Sequence, residues 1–261
     1  MTARLPLALV TGANRGLGLE VCRQLRDRGY RVILTARDPE RGREAARDLG
    51  VEFLPLDVGD SASVARLVAE LRRLDPEGLD VVVANAGVAL DGFDAQVAAT
   101  TVDTNYFGVL RVVEGVLPLL RQDARLVLVS SGVGQRDLLS ADLRARLDLD
   151  TLTRDELSAF MQQFVDDVQA GRHREAGWPG TAYGTSKIGV TALAHLLARD
   201  LAGDPRHLDI VAVCPGWVRT AMGGPNAERT VEVGAASILG GLEAPRDDPH
   251  RFYRDGAHAS W

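Results

Sequence analysis

Short apolar runs alternate with longer amphipathic stretches along most of this 261-residue chain. The apolar runs are rich in Val, Leu and Ile and lack polar alternation, which is typical of parallel strands buried on both faces. Between them, apolar positions recur with the helical period. This order predicts one α/β domain over residues 1–261 with a doubly wound parallel sheet. The predicted strands start at Leu7 and then cover Arg31–Ala36, Val51–Leu56, Leu79–Ala84, Arg125–Ser131 and Leu208–Val213, with a short strand near residues 251–253.

The alternation of strands and helices is interrupted roughly between residues 136 and 179. Within this insertion, Thr153-Arg154-Asp155-Glu156 is typical of a capping box. Apolar residues then recur at i, i+3, i+4, i+7, i+8 and i+11, which predicts an amphipathic helix whose apolar stripe must pack on the parent domain or on a partner. The stripe consists of Leu157, Phe160, Met161, Phe164, Val165 and Val168.

The first strand runs into a glycine-rich turn that opens a helix. Such a turn places backbone N–H groups and the positive end of a helix dipole where a pyrophosphate can bind. The spacing TGxxxGxG between strand and helix therefore predicts a Rossmann-like dinucleotide site, although a tight turn without a ligand is the alternative. The predicted cofactor-binding residues are Gly12, Asn14, Arg15, Gly16, Leu17 and Gly18.

The second strand ends in Thr35-Ala36-Arg37-Asp38. In dinucleotide folds an acidic residue near this position binds the ribose 2′-OH, whereas an arginine accommodates a 2′-phosphate. Arg37 is the first charged residue after the strand, and Arg15 lies in the glycine turn, so we favour NADPH over NADH. Asp38 argues against this preference, and Arg37 as an ordinary surface arginine is the alternative.

Further polar and small residues follow the next strands. Asp57, beside Val58, either accepts from an adenine amine or caps the next helix. Asn85-Ala86-Gly87 allows close approach of the backbone to a ligand. Asn105 lies in a predicted helix, where a buried Asn most often satisfies backbone hydrogen bonds.

Lys187 is the single lysine among 30 Lys and Arg residues, and Tyr183 lies four positions before it. On a helix these two side chains lie on the same face, one turn apart. A nearby ammonium lowers the pKa of a phenol, which would suit a tyrosine that exchanges protons near neutral pH. A lysine left by chance on a solvated face is the alternative.

The carboxyl ends of the later strands carry further candidates. Ser130 and Ser131 end the fifth strand, where open α/β sheets bind ligands. The sixth strand is followed by a sharp Pro215-Gly216 bend and by Trp217. Gly223-Gly224-Pro225 is either a lid over substrate or a plain surface loop. The stretch from Pro245 to Pro249 is a polar connection rather than a domain linker.

Charge and composition limit the partners, the metal sites and the cellular location that we expect for this chain. A net charge of −6, with both signs scattered, argues against nucleic acid and anionic membranes as partners. No apolar run is long enough to span a membrane. Cys22 and Cys214 lie apart without a Cys/His cluster, so we expect reduced, buried thiols and no metal site. Because a strand begins by Leu7, we expect no signal peptide and a cytoplasmic location.

Taken together, these motifs resemble the short-chain dehydrogenase/reductase family, and within it the monomeric carbonyl reductases. The resemblance covers nearly the whole chain and includes the insertion between the serine strand and the tyrosine helix. It is carried by Thr11-Gly12-x-x-x-Gly16-x-Gly18, Asn85-Ala86-Gly87, Asn105, Ser131, Tyr183-x-x-x-Lys187, Pro215-Gly216 and Gly177-Trp178-Pro179.

The resemblance implies a role for each catalytic candidate. Tyr183 would be the general acid, Ser131 would stabilise the carbonyl oxygen, and Lys187 would hold the nicotinamide ribose and lower the Tyr183 pKa. Asn105 would position a water in a proton relay. Spacing alone does not decide between Ser130 and Ser131, but family position favours Ser131. The resemblance further implies carboxamide contacts from Thr220 and the backbone around Val218, and substrate contacts from Ser131, Val133, Tyr183 and Trp217.

The leading hypothesis is therefore an NADPH-dependent reductase of ketones, aldehydes or quinones, with apolar small-molecule substrates. An NAD-dependent alcohol dehydrogenase of the same family and a dinucleotide-binding sensor without turnover are the alternatives. Many relatives form oligomers through the helices that flank the serine strand. Because an insertion helix covers that face in the carbonyl reductases, we expect a monomer, unless an exposed stripe drives dimerisation.

Overall fold

The computed structural model describes residues 4–246 and 248–261, in which eight strands form one sheet in the order β3-β2-β1-β4-β5-β6-β7-β8. The first seven pair in parallel, and β8 adds antiparallel to β7. The predicted doubly wound α/β fold is confirmed. The strands are β1 Leu7–Val10, β2 Arg31–Ala36, β3 Glu52–Pro55, β4 Leu79–Ala84, β5 Leu120–Val129, β6 Asp209–Val213, β7 Phe252–Arg254 and β8 Ala257–His258.

Helices cover both faces of this sheet. The α-helices are α1 Gly16–Asp27, α2 Pro39–Leu49, α3 Ser61–Leu74, α4 Ala95–Val102, α5 Gly108–Val116, α6 Ala141–Arg146, α7 Arg154–Gln169, α8 Ala182–Asp200 and α9 Val231–Gly240. A π-helical turn over Asp103–Phe107 joins α4 to α5.

Apolar side chains of each strand alternate between two cores, one on each face of the sheet. In β1, Leu7 and Leu9 enter the core under α3, α4, α5, α7 and α8, whereas Ala8 and Val10 enter the core under α1, α2 and α9. The same alternation in β4 explains why its sequence is apolar at nearly every position. Burial on both faces therefore produces the continuous apolar runs.

The direction of strand order reverses at β1, which pairs with β2 on one side and β4 on the other. In open α/β sheets, ligands bind at the carboxyl ends of the strands beside such a switch point. The loops after β1 and β4 meet there, and the loops after β5 and β6 lie next to them.

The insertion packs on its own domain. The apolar stripe of α7 is buried against α4 and α8, and the capping box of Thr153 and Glu156 is formed. Inside the insertion, the Asp167 carboxylate accepts hydrogen bonds from Trp178 Nε1 at 2.8 Å and from Arg172 Nε at 2.7 Å. The apolar stripe of α7 therefore packs on the parent domain, which is one of the two alternatives that the sequence left open.

Apart from shifts of one or two residues at strand ends, two elements differ from the sequence-based predictions. β5 starts at Leu120 rather than Arg125. Residues 121–123 near its start are polar, so the apolar pattern did not indicate this part of the strand. β8 was not predicted. It forms a hairpin with β7 through Asp255-Gly256, both at positive φ, as a type I′ turn requires.

Cys22 and Cys214 are buried and form no disulfide. No helix within the described ranges has both the length and the apolar character needed to cross a bilayer. The polar connection predicted for residues 245–249 includes Asp247, which lies outside the described residues.

Candidate functional site

A cleft of about 550 Å³ opens at the switch point, along the carboxyl ends of the strands. Most of the predicted cofactor-binding residues line it. From the glycine turn and the ends of β2 and β3 these are Gly12, Asn14, Arg15, Gly16, Leu17, Gly18, Arg37, Asp57 and Val58, and from the later strands and α8 they are Asn85, Ala86, Gly87, Tyr183, Lys187, Pro215 and Thr220.

The floor of the cleft is formed by two loops that are joined by hydrogen bonds. The Thr11 hydroxyl accepts from the backbone N–H groups of Asn85 and Ala86, and Asn85 Nδ2 donates to the carbonyl oxygen of Thr11 at 2.9 Å. Gly12 has φ +63°, and a Cβ there would lie 2.8 Å from Ala86 Cα. The glycine is thus required both by the turn and by the close approach of the second loop.

The N-terminus of α1 differs from that of the other helices that begin after a loop. Its N-cap residue, Arg15, makes no side-chain capping hydrogen bond, and its first turn has no acidic residue. A side-chain cap is present on α2, α3, α4, α6, α7, α8 and α9. The uncapped N–H groups and the dipole of α1 therefore remain available to an anion.

Two exposed arginines border the same end of the cleft. Neither Arg15 nor Arg37 makes a side-chain hydrogen bond or ion pair with the part of the chain that the structure describes. Asp38 is the N-cap of α2, and its carboxylate accepts from the N–H groups of Glu40 at 3.0 Å and Arg41 at 3.2 Å. The carboxylate that would compete for a ribose hydroxyl is thus committed to the helix.

Asp57 does not cap the following helix. Asp60 caps α3 by accepting from Ala62 N, whereas Asp57 Oδ1 accepts from Gly59 N at 3.0 Å in the turn before it. The capping alternative for Asp57 is therefore wrong. Its carboxylate stays on the wall of the cleft, where contact with an adenine amine remains a prediction.

Tyr183 and Lys187 lie on one face of α8, as their spacing predicts. Thr181 caps this helix by accepting from Gly184 N. Lys187 Nζ lies 5.6 Å from the centre of the Tyr183 ring and donates to the Val129 carbonyl oxygen at 2.7 Å. The lysine is only 4% exposed, so the solvated-face alternative is wrong.

The expected direction of the Tyr183 pKa shift is wrong in the structure. Burial raises the pKa of Tyr183, and a hydrogen bond from Ser131 offsets only part of this increase. Burial also lowers the pKa of Lys187 to about 8. The ammonium points to the Val129 carbonyl rather than to the phenolic oxygen, so desolvation outweighs its electrostatic effect on the phenol. Tyr183 thus keeps its proton at neutral pH.

The two serines after β5 point in different directions. The Ser130 hydroxyl is buried, 2.6 Å from the Thr191 hydroxyl and 3.1 Å from the carbonyl oxygen of Lys187. The Ser131 hydroxyl instead accepts from Val133 N at 3.4 Å and is near enough to the phenol of Tyr183 to lower the pKa of that phenol. This geometry favours Ser131 as the catalytic hydroxyl, and Ser130 fixes the strand to α8.

Asn105 lies in the π-helical turn and is fully buried. Its Oδ1 accepts from Val88 N at 2.7 Å, and its Nδ2 donates to Val88 O and to the Ser186 hydroxyl. Ser186 in turn donates to the carbonyl oxygen of Tyr183 at 2.7 Å. Asn105 therefore satisfies backbone groups and ties the π-helical turn to the tyrosine helix. Its role in a proton relay stays a prediction.

Six predicted site residues lie outside the cleft lining, and two of them, Asn105 and Ser131, are described above. Val133 and Trp217 are each 54% exposed, on the loops after β5 and β6. Val218 is buried and bridges to Arg229, and Gly216 lies against the Arg229 side chain. Several lining residues were not predicted from the sequence. Most of them are adjacent to predicted residues, and this adjacency is the signal that could have indicated them. These are Leu56, Val88, Thr104, Val129, Ala221 and Met222.

This arrangement suits a dinucleotide with a reactive carbonyl beside it. A larger side chain would clash at Gly12 and Gly18, the N-terminus of α1 has no side-chain cap, and two arginines without partners among the described residues border the cleft. A protonated phenol, a hydroxyl and a buried ammonium converge at the other end. The fold and the cleft define an α/β protein of the dinucleotide-binding class.

Comparison with known proteins identifies the family. The profile described as short chain dehydrogenase matches residues 6–141 and 168–230. The chain belongs to this family, as predicted, and the unmatched residues 142–167 lie within the predicted insertion. Carbonyl reductase (NADPH) 1 from Bos taurus is 42% identical over 262 residues, covering 94% of each chain. The Homo sapiens protein of that name is 40% identical and covers 96% of each chain. The predicted likeness to carbonyl reductases is confirmed.

Solved structures agree with this assignment. Salutaridine reductase from Papaver somniferum superposes with a TM-score of 0.87 at 30% identity, covering 96% of this chain and 99% of the other. Menthone neomenthol reductase from Mentha piperita gives a TM-score of 0.82 at 28% identity, covering 97% and 100%.

Proposed function

We propose that this chain is a carbonyl reductase that uses NADPH. The observation that carries the proposal is the convergence of Tyr183, Ser131 and Lys187 beside a dinucleotide cleft. The full-length relatives named carbonyl reductase (NADPH) 1 support the same activity.

Tyr183 is the general acid in this proposal. Its raised pKa keeps the phenol protonated at neutral pH, which is the form that can donate to a carbonyl oxygen. NADPH, when bound, supplies the hydride for the carbonyl carbon. The Tyr183 proton then completes the alcohol, and the Ser131 hydroxyl stabilises the charge that develops on the oxygen.

Lys187 and Asn105 support this acid. The ammonium can leave the Val129 carbonyl for ribose hydroxyls in the adjacent cleft, which would also bring positive charge toward the phenolate that remains after proton transfer. Asn105 holds Ser186, which holds the backbone of Tyr183, so it positions the acid. A relay water at Asn105 would carry the replacement proton from solvent.

The choice of NADPH over NADH rests on charge. Arg15 and Arg37 face the ribose end of the cleft without partners among the described residues, and Asp38 is occupied as a helix cap. A guanidinium binds a phosphate through charge-assisted and often bidentate hydrogen bonds. The 2′-phosphate is therefore the group that these two arginines suit.

The mouth of the cleft favours substrates with apolar bodies. Five of the large apolar side chains that are strongly exposed lie on loops after β4, β5 and β6, at one edge of the sheet. Large apolar side chains that are exposed on neighbouring loops favour the binding of apolar groups. Aromatic or aliphatic ketones, aldehydes and quinones fit such a rim, which consists of Leu90, Val133, Leu138, Trp217 and Met222.

The experiment is an assay of NADPH and NADH oxidation over a panel of quinones and aromatic ketones. We expect turnover with NADPH, and we expect Arg37→Ala to weaken NADPH about tenfold while leaving NADH unchanged. Arg47→Ala, an exposed arginine on α2, is the matched control. Equal effects on both coenzymes would clear Arg37 of this role, and a preference of the parent chain for NADH would favour the NAD-dependent alcohol dehydrogenase. Tight coenzyme binding without turnover on any substrate would favour the sensor.

The monomeric state is part of the proposal. The stripe of α7 is already buried on α4 and α8, so it is not available for dimerisation. We expect gel filtration and light scattering to give the monomer mass. A single peak at twice that mass contradicts the proposal.

A further inference from the structure

The hairpin at the end of the sheet gathers three metal-ligating side chains outside the cleft. Asp248 and His250 lie in the segment before β7, and His258 ends β8. Each offers one ligand atom, and the three atoms lie within 4.8 Å of one another. We propose that Asp248, His250 and His258 form a binding site for a divalent transition metal, of which Zn²⁺ is the best match.

The carboxylate of this site is held in place before any ion arrives. Tyr253 donates its hydroxyl to Asp248 Oδ2 at 2.8 Å, and His250 N donates to Oδ1 at 2.9 Å. Tyr253 also donates to the carbonyl oxygen of His250 at 2.9 Å. Outer hydrogen bonds that orient metal ligands are a regular part of metal sites. The side chain of Asp248 is only 8% exposed, so this support comes from the protein rather than from water.

The imidazoles already face the carboxylate. The rings of His250 and His258 are 4.5 Å apart, and His258 Nε2 hydrogen-bonds Asp248 Oδ2. A metal would replace the shared proton of this pair, and the ligand atoms, which lie within 4.8 Å of one another, would draw together around an ion at the usual bond length of about 2 Å. Two nitrogens and one oxygen suit Zn²⁺ rather than Ca²⁺ or Mg²⁺, which prefer oxygen ligands. Three protein ligands leave a fourth position for water.

The site would tie down the C-terminal tail. Directly after His258, Ala259 N donates to Phe252 O at 3.0 Å, and Gln135 Nε2 donates to Ser260 O at 3.0 Å. The Trp261 ring stacks on His195 with centroids 5.4 Å apart. Because Gln135 lies four residues after Ser131, a metal on the hairpin would stabilise a tail that contacts the loop beside the catalytic serine.

The test is Zn²⁺ binding to the full chain, prepared without a histidine tag and stripped with a chelator. We expect one Zn²⁺ per chain by calorimetry and by metal analysis after dialysis, a higher melting temperature, and slower hydrogen exchange at the Ala259 amide. His250→Ala and His258→Ala should each weaken binding by roughly a hundredfold or more, and Tyr253→Phe by about tenfold, as for outer-shell partners. His207→Asn, a change at an exposed histidine elsewhere, is the matched control.

Co²⁺ in place of Zn²⁺ gives a second readout. Its visible absorption should show nitrogen and oxygen ligands in the parent chain and should be lost in the His250→Ala/His258→Ala variant. The proposal is wrong if the parent chain binds no Zn²⁺ at micromolar concentrations, if the double variant still binds one equivalent, or if His207→Asn weakens binding as much. None of these measurements depends on carbonyl reduction.

Discussion

The two buried charged side chains Lys187 and Asp167 differ in the partners that surround them. Asp167, in the insertion, is 1% exposed, and its two oxygens accept from Arg172 and Trp178. Lys187, beside the cleft, is 4% exposed, and its only hydrogen-bond partner among the described residues is the Val129 carbonyl. Removing one partner of a buried ion pair destabilises the fold strongly, whereas a buried charge without a compensating ion lowers the stability of the fold by its own desolvation.

The comparison of Asp167 with Lys187 distinguishes a residue that stabilises the fold from a residue that serves the chemistry of the cleft. Strongly shifted ionisable groups in clefts are typical of functional sites, and the pKa of Lys187 is lowered to about 8 by its burial. The expected consequence is that variants at the cleft lose turnover without losing stability, and that variants at Asp167 do the reverse.

Tyr183→Phe should give the largest effect and is the sharpest test of the cleft. It removes the proton donor and keeps the ring, so kcat should fall by about 10²–10⁴ while NADPH binding and melting temperature stay unchanged. The measurement is steady-state NADPH oxidation together with coenzyme titration. Tyr106→Phe is the control, since that buried hydroxyl contacts Ser158 and not the cleft. A Tyr183→Phe enzyme with parent-like kcat would remove the tyrosine from the mechanism.

Lys187→Met tests whether the unpaired charge serves catalysis alone. We expect kcat/KM to fall about a hundredfold, because coenzyme and acid lose their alignment. The free energy of unfolding should not fall and should rise at neutral pH, since a buried charge with no compensating ion is removed and no ion pair is broken. Lys187→Arg keeps the charge, but its wide guanidinium does not fit the same space, so its activity should fall as well. A large loss of stability in Lys187→Met would break the comparison.

Asp167→Ala should show the opposite pattern. It leaves the indole N–H of Trp178 buried without an acceptor, and we expect the free energy of unfolding to fall by about 2 kcal/mol. Chemical denaturation measures this, while kcat per folded molecule should be retained. Arg172→Ala should cost less, because the arginine side chain is 59% exposed. If Asp167→Ala abolishes turnover at full stability, the insertion takes part in the chemistry.

The architecture could be predicted from the sequence because strands that are buried on both faces require apolar residues at successive positions. β2 and β4 have the predicted bounds, and the helix stripe of the insertion is buried as predicted. β8 escaped because a two-residue strand has no periodicity, although Asp255-Gly256 is a recognised signal for a type I′ hairpin.

The site was predictable where spacing along one element sets the geometry. Tyr183 and Lys187 share a helix face by their i, i+4 spacing, and the glycine turn follows from its position between strand and helix. Orientation was not predictable. Only the three-dimensional contacts separate Ser130 from Ser131, and only the burial of the Tyr183 side chain in the folded chain explains why its pKa is raised.

The pH dependence of stability gives the smallest predicted effect and tests the Lys187 charge directly. The folded-state pKa of about 8 lies below the ordinary value of 10.5, so between these values the folded chain binds fewer protons than the unfolded chain. The free energy of unfolding therefore rises with pH through this window. Below about pH 8 the buried ammonium lowers the free energy of unfolding by its full amount. From pH 7.5 to 9 the parent should gain about 1 kcal/mol relative to Lys187→Met in urea unfolding. Other groups titrate in both proteins, so the difference between the two curves isolates the lysine. Parallel curves would mean that the ammonium is solvated or paired, and that the contrast with Asp167 does not hold.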